Sequence, residues 1–358
     1  MKKICFSFNH FQYSDGIARS AISMANYLSQ RKDIEVTLRP IFKIQKEAMN
    51  VLNKNIKIKP VLGFYFNGLS KIMRIIPDKF WHDWIFGKNK YDIEIGFQYG
   101  TSTRAVVASD NNAKHLIWMH GYDEGLLMKP YYKKADMVVC VSKFNANRLK
   151  KELNENINIE YCYNPIDETS VIESGKELIS LQKNKKLVFV SVGRLSEEKG
   201  YLRLLNVSAR LKREGFSFVI WLIGEGPQRT ELEEKVKLLK LDDVVKFMGN
   251  QANPHKYTSK ADIFICSSFS EGYSTACTEA IMLGIPVIST EVSGAKEIIE
   301  DAECGKVVEN SEEGIYLGMK SILLDPIVVE SWKKILLKTK KHFFVEERID
   351  KLEDILGV

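Results

Sequence analysis

The sequence predicts two doubly wound α/β domains in series, and three observations carry that prediction. Short continuous apolar runs alternate with amphipathic stretches along the whole chain, the pattern restarts near the middle, and 358 residues is about twice an ordinary domain. Apolar runs without polar alternation mark strands covered on both faces. Such strands call for parallel sheets with helices on either side.

In the first half, Lys3–Phe8 (KICFSF) reads as a buried strand. A helix follows from about Asp15 to Arg31, because Ile17, Ala21, Met24 and Leu28 recur on one face. Further strands are expected at Ile34–Leu38, Asp92–Phe97, His115–Met119, Met137–Val141 and Ile159–Tyr163, with Ser102–Ala108 and Lys143–Leu153 helical between them. The second half restarts at Leu187–Val192 (LVFVSV) and continues with Phe218–Ile223, Val244–Met248, Asp262–Cys266, Pro286–Thr290 and Lys306–Val308. Helices at Arg203–Arg213 and Arg229–Lys240 are among those that separate them. The polar, lysine-rich stretch Ser174–Lys186 has little periodicity and marks the boundary, placing residues 1–178 in one domain and 179–334 in the next. The closing segment Glu330–Val358 is helical and adds no strand.

Composition narrows the class. The chain is 45% hydrophobic and 27% charged, as in an ordinary globular protein. No apolar run approaches the roughly 18 residues of a membrane span, and the start does not read as a signal peptide. Six scattered cysteines form no Cys-x-x-Cys pair, so they read as buried thiols of a cytoplasmic protein rather than as a disulfide or zinc framework. The net charge of +6 is uneven: residues 1–178 carry 26 Lys and Arg against 19 Asp and Glu. Most of the excess lies from Arg39 to Lys90, with 11 basic and 3 acidic residues. One half is thus expected to meet something anionic, a phosphate-rich ligand or a membrane surface, unless this is simply a solvated basic face. No nucleic-acid-binding module is present, so nucleic acid is not an expected partner.

In a doubly wound sheet, ligands gather outside the carboxyl ends of the strands. After the strand at Leu187 comes VGRLSEEKG, Val192 to Gly200, where Gly193 allows a tight exit and Arg194 and Lys199 place two cations at the strand's mouth. Two cations beside free backbone amides suit a diphosphate. The IGEGP run, Ile223 to Pro227, reads as a structural turn. The most informative stretch is SEGYSTACTEAIMLGIP, Ser270 to Pro286: Ser274 is a good N-cap and Gly284 with Pro286 a good stop, so Ser274–Leu283 should be a helix. Its N-terminus would favour an anion. Glu271 stands just before it, and Glu279 lies inside it in an apolar run, where a carboxylate needs hydrogen-bond partners. In the first half, Gly16 opens a helix after strand one, and His120 stands at the carboxyl edge of the first sheet.

On these residues the sequence resembles glycosyltransferase family 4, retaining enzymes of the GT-B fold, over nearly the whole chain. The hallmark Glu-x7-Glu stands as Glu271 to Glu279, followed by AIMLGIPVI, with VGRL-x-x-x-KG and IGEGP upstream. The resemblance implies two Rossmann-like domains facing a central cleft, and a terminal helix, about 335–358, that crosses back onto the first. It implies a nucleotide-sugar donor, UDP by family frequency. Arg194 and Lys199 would neutralise the leaving diphosphate and Glu279 would hold the ribose. Glu271 would contact the sugar, with Gly272, Tyr273, Ser274 and Thr275 lending amides or hydroxyls. Gly193 would line the phosphates, Asn250 the base, Gly16 would help close the phosphate site, and His120 would sit beside the sugar. No Asp-x-Asp pair occurs, so the two cations are expected to replace Mg²⁺, with no cofactor. Departures are Ser14-Asp15-Gly16 where Gly-Gly is usual, Asn164-Pro165-Ile166-Asp167 in place of Asn-Gly-x-Asp, and Ser274 where Pro is common.

The acceptor is expected to be a glycan or lipid-linked glycan in cell-surface polysaccharide biosynthesis. Residues 64–90 are aromatic and basic together, and Leu69, Ile72, Met73 and Ile76 share one helical face. That face fits either the inner surface of an anionic cell membrane or a helix packed on the first sheet. The alternatives to a transferase are another GT-B enzyme, such as a nucleotide-sugar epimerase, and a non-catalytic nucleotide-sugar binding module.

Overall fold

The computed structural model describes residues 1–11, 16–42, 44–64, 69, 73, 75–87, 90–109, 111–122, 126–153, 157–179 and 186–358. It divides into two compact units: Met1–Ile166 with Arg348–Val358, and Asp167–Glu347.

The first unit is built on seven parallel strands: β1 (Lys2–Phe8), β2 (Ile34–Pro40), β3 (Lys57–Ile58), β4 (Ile93–Gly96), β5 (Lys114–Met119), β6 (Met137–Cys140) and β7 (Ile159–Tyr161), in the order β3-β2-β1-β4-β5-β6-β7. The second has six: β8 (Leu187–Val192), β9 (Phe218–Ile223), β10 (Val245–Gly249), β11 (Ile263–Cys266), β12 (Val287–Thr290) and β13 (Lys306–Val308), in the order β10-β9-β8-β11-β12-β13. Both sheets are parallel and doubly wound, as the continuous apolar runs require. Every residue of β9 is buried, from Phe218 to Ile223. Strand order reverses between β1 and β4 in one sheet and between β8 and β11 in the other. The loops leaving those four strands therefore flank the natural ligand crevice of each sheet.

The expected strands all form, with ends shifted by a residue or two; the edge strand β3 was not foreseen, since two residues leave no periodic trace. The helix expected over Asp15–Arg31 runs Gly16–Leu28, and Asp15 with Ser14 lies outside the described residues. The closing segment is two helices, Ile327–Thr339 and Val345–Leu356, joined by a 3₁₀ turn at Lys340–Phe343. No described helix is long and apolar enough to cross a membrane. All six cysteines are buried and free.

Both expected domain limits move, for identifiable reasons. The boundary falls at 166/167 rather than 178/179. Asp167 caps the helix Glu168–Gly175 by accepting from the Ser170 amide. That helix is tied to the second unit through Ser259 Oγ donating to the Gly175 carbonyl at 2.6 Å and Asn253 Nδ2 to that of Ser174 at 2.8 Å. Residues 180–185 of the expected linker lie outside the described residues. The return to the first unit begins at Arg348 rather than about 335. Thr339 Oγ1 still bonds the Ala302 carbonyl at 2.7 Å. Only beyond it do Lys351 pair with Glu160 at 2.8 Å and Lys114 donate to the Ile355 carbonyl at 2.7 Å.

Candidate functional site

In the second unit, three of the predicted elements converge at the β8–β11 switch point. The β8 loop ends in a 3₁₀ turn, Glu197–Lys199, and Gly200 then opens the helix Tyr201–Arg213 at φ +65°. A Cβ on Gly200 would stand 2.1 Å from the Ser267 carbonyl oxygen, so only glycine lets this turn press against the β11 loop. Arg203 clamps the same loop from the far side, its guanidinium donating to the carbonyls of Ser267 and Ser268 at 2.6–2.9 Å. Held this way, Lys199 Nζ meets Glu271 Oε1 at 2.7 Å, and Ser268 Oγ donates to the same oxygen at 2.6 Å. Burial works against the Lys199 charge, but the Glu271 carboxylate outweighs it and the ammonium's pKa is raised. Arg194 is exposed and makes no ion pair among the described residues. One cation is thus held by a carboxylate and the other is open to solvent.

The helix after β11 runs Thr275–Met282, with Ser274 as its N-cap accepting from the Cys277 amide at 3.3 Å. Gly272, Ser274 and Thr275 are partly exposed at its mouth, while Tyr273 is buried. With the Cys277 amide taken by Ser274, the remaining first-turn amides have no partner within the helix and stand at its positive dipole end, an arrangement that favours an anion. Glu279 is only 5% exposed. Its Oε2 stands 3.2 Å from His255 Nε2, and His255 Nδ1 stands 2.7 Å from Ser174 Oγ. An imidazole thus stands within ion-pair distance of the buried carboxylate without a hydrogen bond at its Nε2 among the described residues.

The expected structural role of IGEGP is visible. Gly224 sits at φ +140° with its Cβ position 2.0 Å from the Gly193 carbonyl oxygen, and the Gly193 amide bonds the Ile223 carbonyl at 3.0 Å. The Leu195 amide bonds Glu225 and the Gln228 amide bonds Leu195, so this turn backs the Arg194 loop. Asn250 is exposed just past β10.

In the first unit, Asn9 and His10 after β1 donate their amides to Gln98 Oε1 after β4, at 2.8 and 3.1 Å. His120 follows β5. Its ring packs edge-on against Phe97 at 4.6 Å, and Phe97 in turn contacts Phe6, Phe8 and Trp118. Burial pushes the His120 pKa down to about 3, against a hydrogen bond to the Phe97 backbone, so the imidazole is neutral at physiological pH. Its Nε2 has no hydrogen-bond partner among the described residues. Gly16 is the first described residue of its helix. Leu69 and Met73 are buried, and Met73 accepts from Trp81 Nε1 at 3.1 Å. At those two positions the packed reading of residues 64–90 holds and the membrane-facing one does not; Ile72 lies outside the described residues. Among its described residues that region exposes Phe64, Ile75, Phe80 and Trp84.

Comparison with known proteins bears on this geometry. Residues 176–338 match the family described as glycosyl transferases group 1. The N-acetylgalactosamine-N,N'-diacetylbacillosaminyl-diphospho-undecaprenol 4-alpha-N-acetylgalactosaminyltransferase of Campylobacter jejuni is 30% identical over 271 residues, 72% of this chain and 71% of that one. The chain belongs to the group 1 glycosyltransferases. The lipopolysaccharide core biosynthesis glycosyltransferase LpsE of Rhizobium meliloti is 26% identical over 54% of this transferase and 56% of its own length. The fold matches that of Anabaena HepE, crystallised with UDP and glucose, at a TM-score of 0.77 and 15% identity over the whole of both chains. The transferase therefore has the GT-B fold its sequence predicts.

Sequence reasoning missed Ser268, His255, Ser174 and Gln98. Each is a small or lone polar residue in a loop or helix end, with no motif of its own. Only the buried carboxylate at 279 signalled that partners such as His255 had to exist.

Proposed function

We propose that this glycosyltransferase transfers a hexosyl or N-acetylhexosaminyl unit from a UDP-sugar, with retention of configuration, to a glycan or lipid-linked glycan of cell-surface polysaccharide biosynthesis. The observation that carries the reading is the Lys199–Glu271 pair beside the exposed Arg194 and the Ser274-capped helix at the second sheet's switch point. In this reading the bond from the anomeric carbon to the β-phosphate breaks. The acceptor hydroxyl adds on the same face and passes its proton to the departing phosphate oxygen. Arg194 and the helix amides take up the leaving charge, and Lys199 turns part of its field from Glu271 to the diphosphate, in place of a metal. Glu279 holds the ribose and Glu271 the sugar. Gly193, Gly272, Tyr273 and Thr275 line the donor, Asn250 borders the base, and Gly16 and the neutral His120 serve the reaction from the first unit.

The acceptor class draws on the Campylobacter relative, whose name specifies a diphospho-undecaprenol acceptor, and on the lipopolysaccharide relative. UDP draws on the HepE complex. Work at the inner face of an anionic membrane fits the exposed Ile75, Phe80 and Trp84 and the surrounding lysines. The test is a thermal-shift screen against UDP, GDP, ADP and their sugars. A rise of about 3–5 °C selective for uridine nucleotides is expected; no rise with any nucleotide would sink the donor assignment.

A further inference from the structure

The first unit also buries a group of metal-ligating side chains for which the transfer reaction has no use. Glu94 is the second residue of β4 and is fully buried. The sheet register pairs it with His115, the second residue of β5, so the two side chains emerge on the same face. The helix Asp78–Ile85 covers that face and contributes the buried His82. His82 Nε2 lies 2.8 Å from Glu94 Oε2, and His115 Nε2 lies 3.4 Å from the same oxygen. One ligating atom of each residue lies within 4.8 Å of the other two. Asn111, on the turn before β5, adds its Oδ1 2.9 Å from His115 Nε2.

Chemistry and spacing point the same way. Two imidazoles and a carboxylate are a zinc donor set. A tetrahedral zinc ion with bonds of about 2.0–2.1 Å holds its donors about 3.3 Å apart; the 3.4 Å between His115 and Glu94 matches that, and the 2.8 Å between His82 and Glu94 has only to open by about half an ångström. Behind His82 stands a second carboxylate, Asp83 Oδ1, 3.3 Å from Nδ1. A carboxylate in that position orients an imidazole so that its other nitrogen can bind metal. Glu94, fully buried in a strand otherwise apolar at Ile93 and Ile95, has its charge answered by the two imidazoles and by Asn111 Nδ2, which donates to Oε1 at 3.0 Å; a metal ion would take over the side of the carboxylate that faces the imidazoles.

We propose that His82, Glu94 and His115 bind a structural zinc ion, with Asn111 Oδ1 as the fourth ligand. The ion ties the helix Asp78–Ile85 to β4 and β5 at their amino ends, whereas His120 stands at the carboxyl end of β5. Being buried, it enters as the unit folds.

The test uses the full untagged chain, purified without chelator from zinc-supplemented medium. Elemental analysis is expected to give about one zinc per chain. Chain stripped under denaturing conditions and refolded with Co²⁺ should show the visible bands of tetrahedral cobalt. Refolding with Zn²⁺ should raise the melting temperature by about 5 °C over refolding with EDTA. His115→Gln should lose the metal and the cobalt bands. Two results would overturn the proposal: wild-type chain that purifies metal-free and refolds identically with Zn²⁺, Co²⁺ or EDTA, or a His115→Gln variant that still holds one metal per chain. The wild-type measurements stand even if that variant fails to fold.

Discussion

At the carboxyl edge of the second sheet the transferase gathers charge: Arg194 open to solvent, Lys199 against Glu271, Glu279 beside His255. At the carboxyl edge of the first sheet it sets a neutral imidazole, His120, against an aromatic wall, and its buried charge, Glu94 with two histidines, sits at the amino end instead. Two sheets of the same winding thus offer ligands opposite environments. The difference lies at the switch points, where the second sheet places charged side chains and the first places an aromatic wall. A field fixed at the carboxyl edge suits a diphosphate leaving group, and a neutral, partly shielded ring suits an uncharged sugar or hydroxyl.

Removing the cations attacks this contrast where it is strongest. Arg194→Ala and Lys199→Ala are each expected to lower kcat on the order of 100- to 1000-fold, with circular dichroism unchanged. Near-normal initial rates in either variant would take that residue out of the mechanism.

The neutral edge is sharpened by pH. His120 is held near 3, against an ordinary value of 6.5, so over that interval the unfolded chain binds a proton that the folded one refuses. Stability therefore falls as pH drops from about 6.5 towards 3, and His120→Gln removes this component. Urea midpoints compared at pH 7 and pH 4.5 should decline less in the variant. Parallel declines would show that burial does not hold the imidazole neutral.

The smallest effect concerns the first unit's surface. Ser substitution of both Phe80 and Trp84 is expected to weaken flotation with anionic vesicles roughly five-fold at low salt. Wild-type chain that never floats would remove the membrane from the proposal.

The sequence carried the fold clearly, because the central strands such as Leu187–Val192 and Phe218–Ile223 are apolar runs bounded by turn residues, and Ser274 and Gly284 bracket their helix as capping chemistry requires. It carried the charged edge almost as well, since Arg194, Lys199, Glu271 and Glu279 sit in contiguous motifs. What it hid is the pairing of distant single residues. Nothing local joins His255 to Glu279, or His82 to Glu94 and His115, and nothing in residues 64–86 told that Leu69 and Met73 face inward while Phe80 and Trp84 face out. Such pairings belong to the packing of elements, which periodicity describes only as an inward or outward face.

The placement of Arg348–Val358 in the first unit has a consequence for the order of synthesis. Lys2 donates to the Gly357 carbonyl at 2.6 Å, so residues from the two extremes of the sequence are fastened together. A ribosome delivers all seven strands of the first sheet, then the entire second unit, and only afterwards the helix that buries Ile349, Leu352, Ile355 and Leu356. Throughout that interval the nascent first unit waits with one of its covering elements missing, and apolar surface left open in this way is what chaperones recognise.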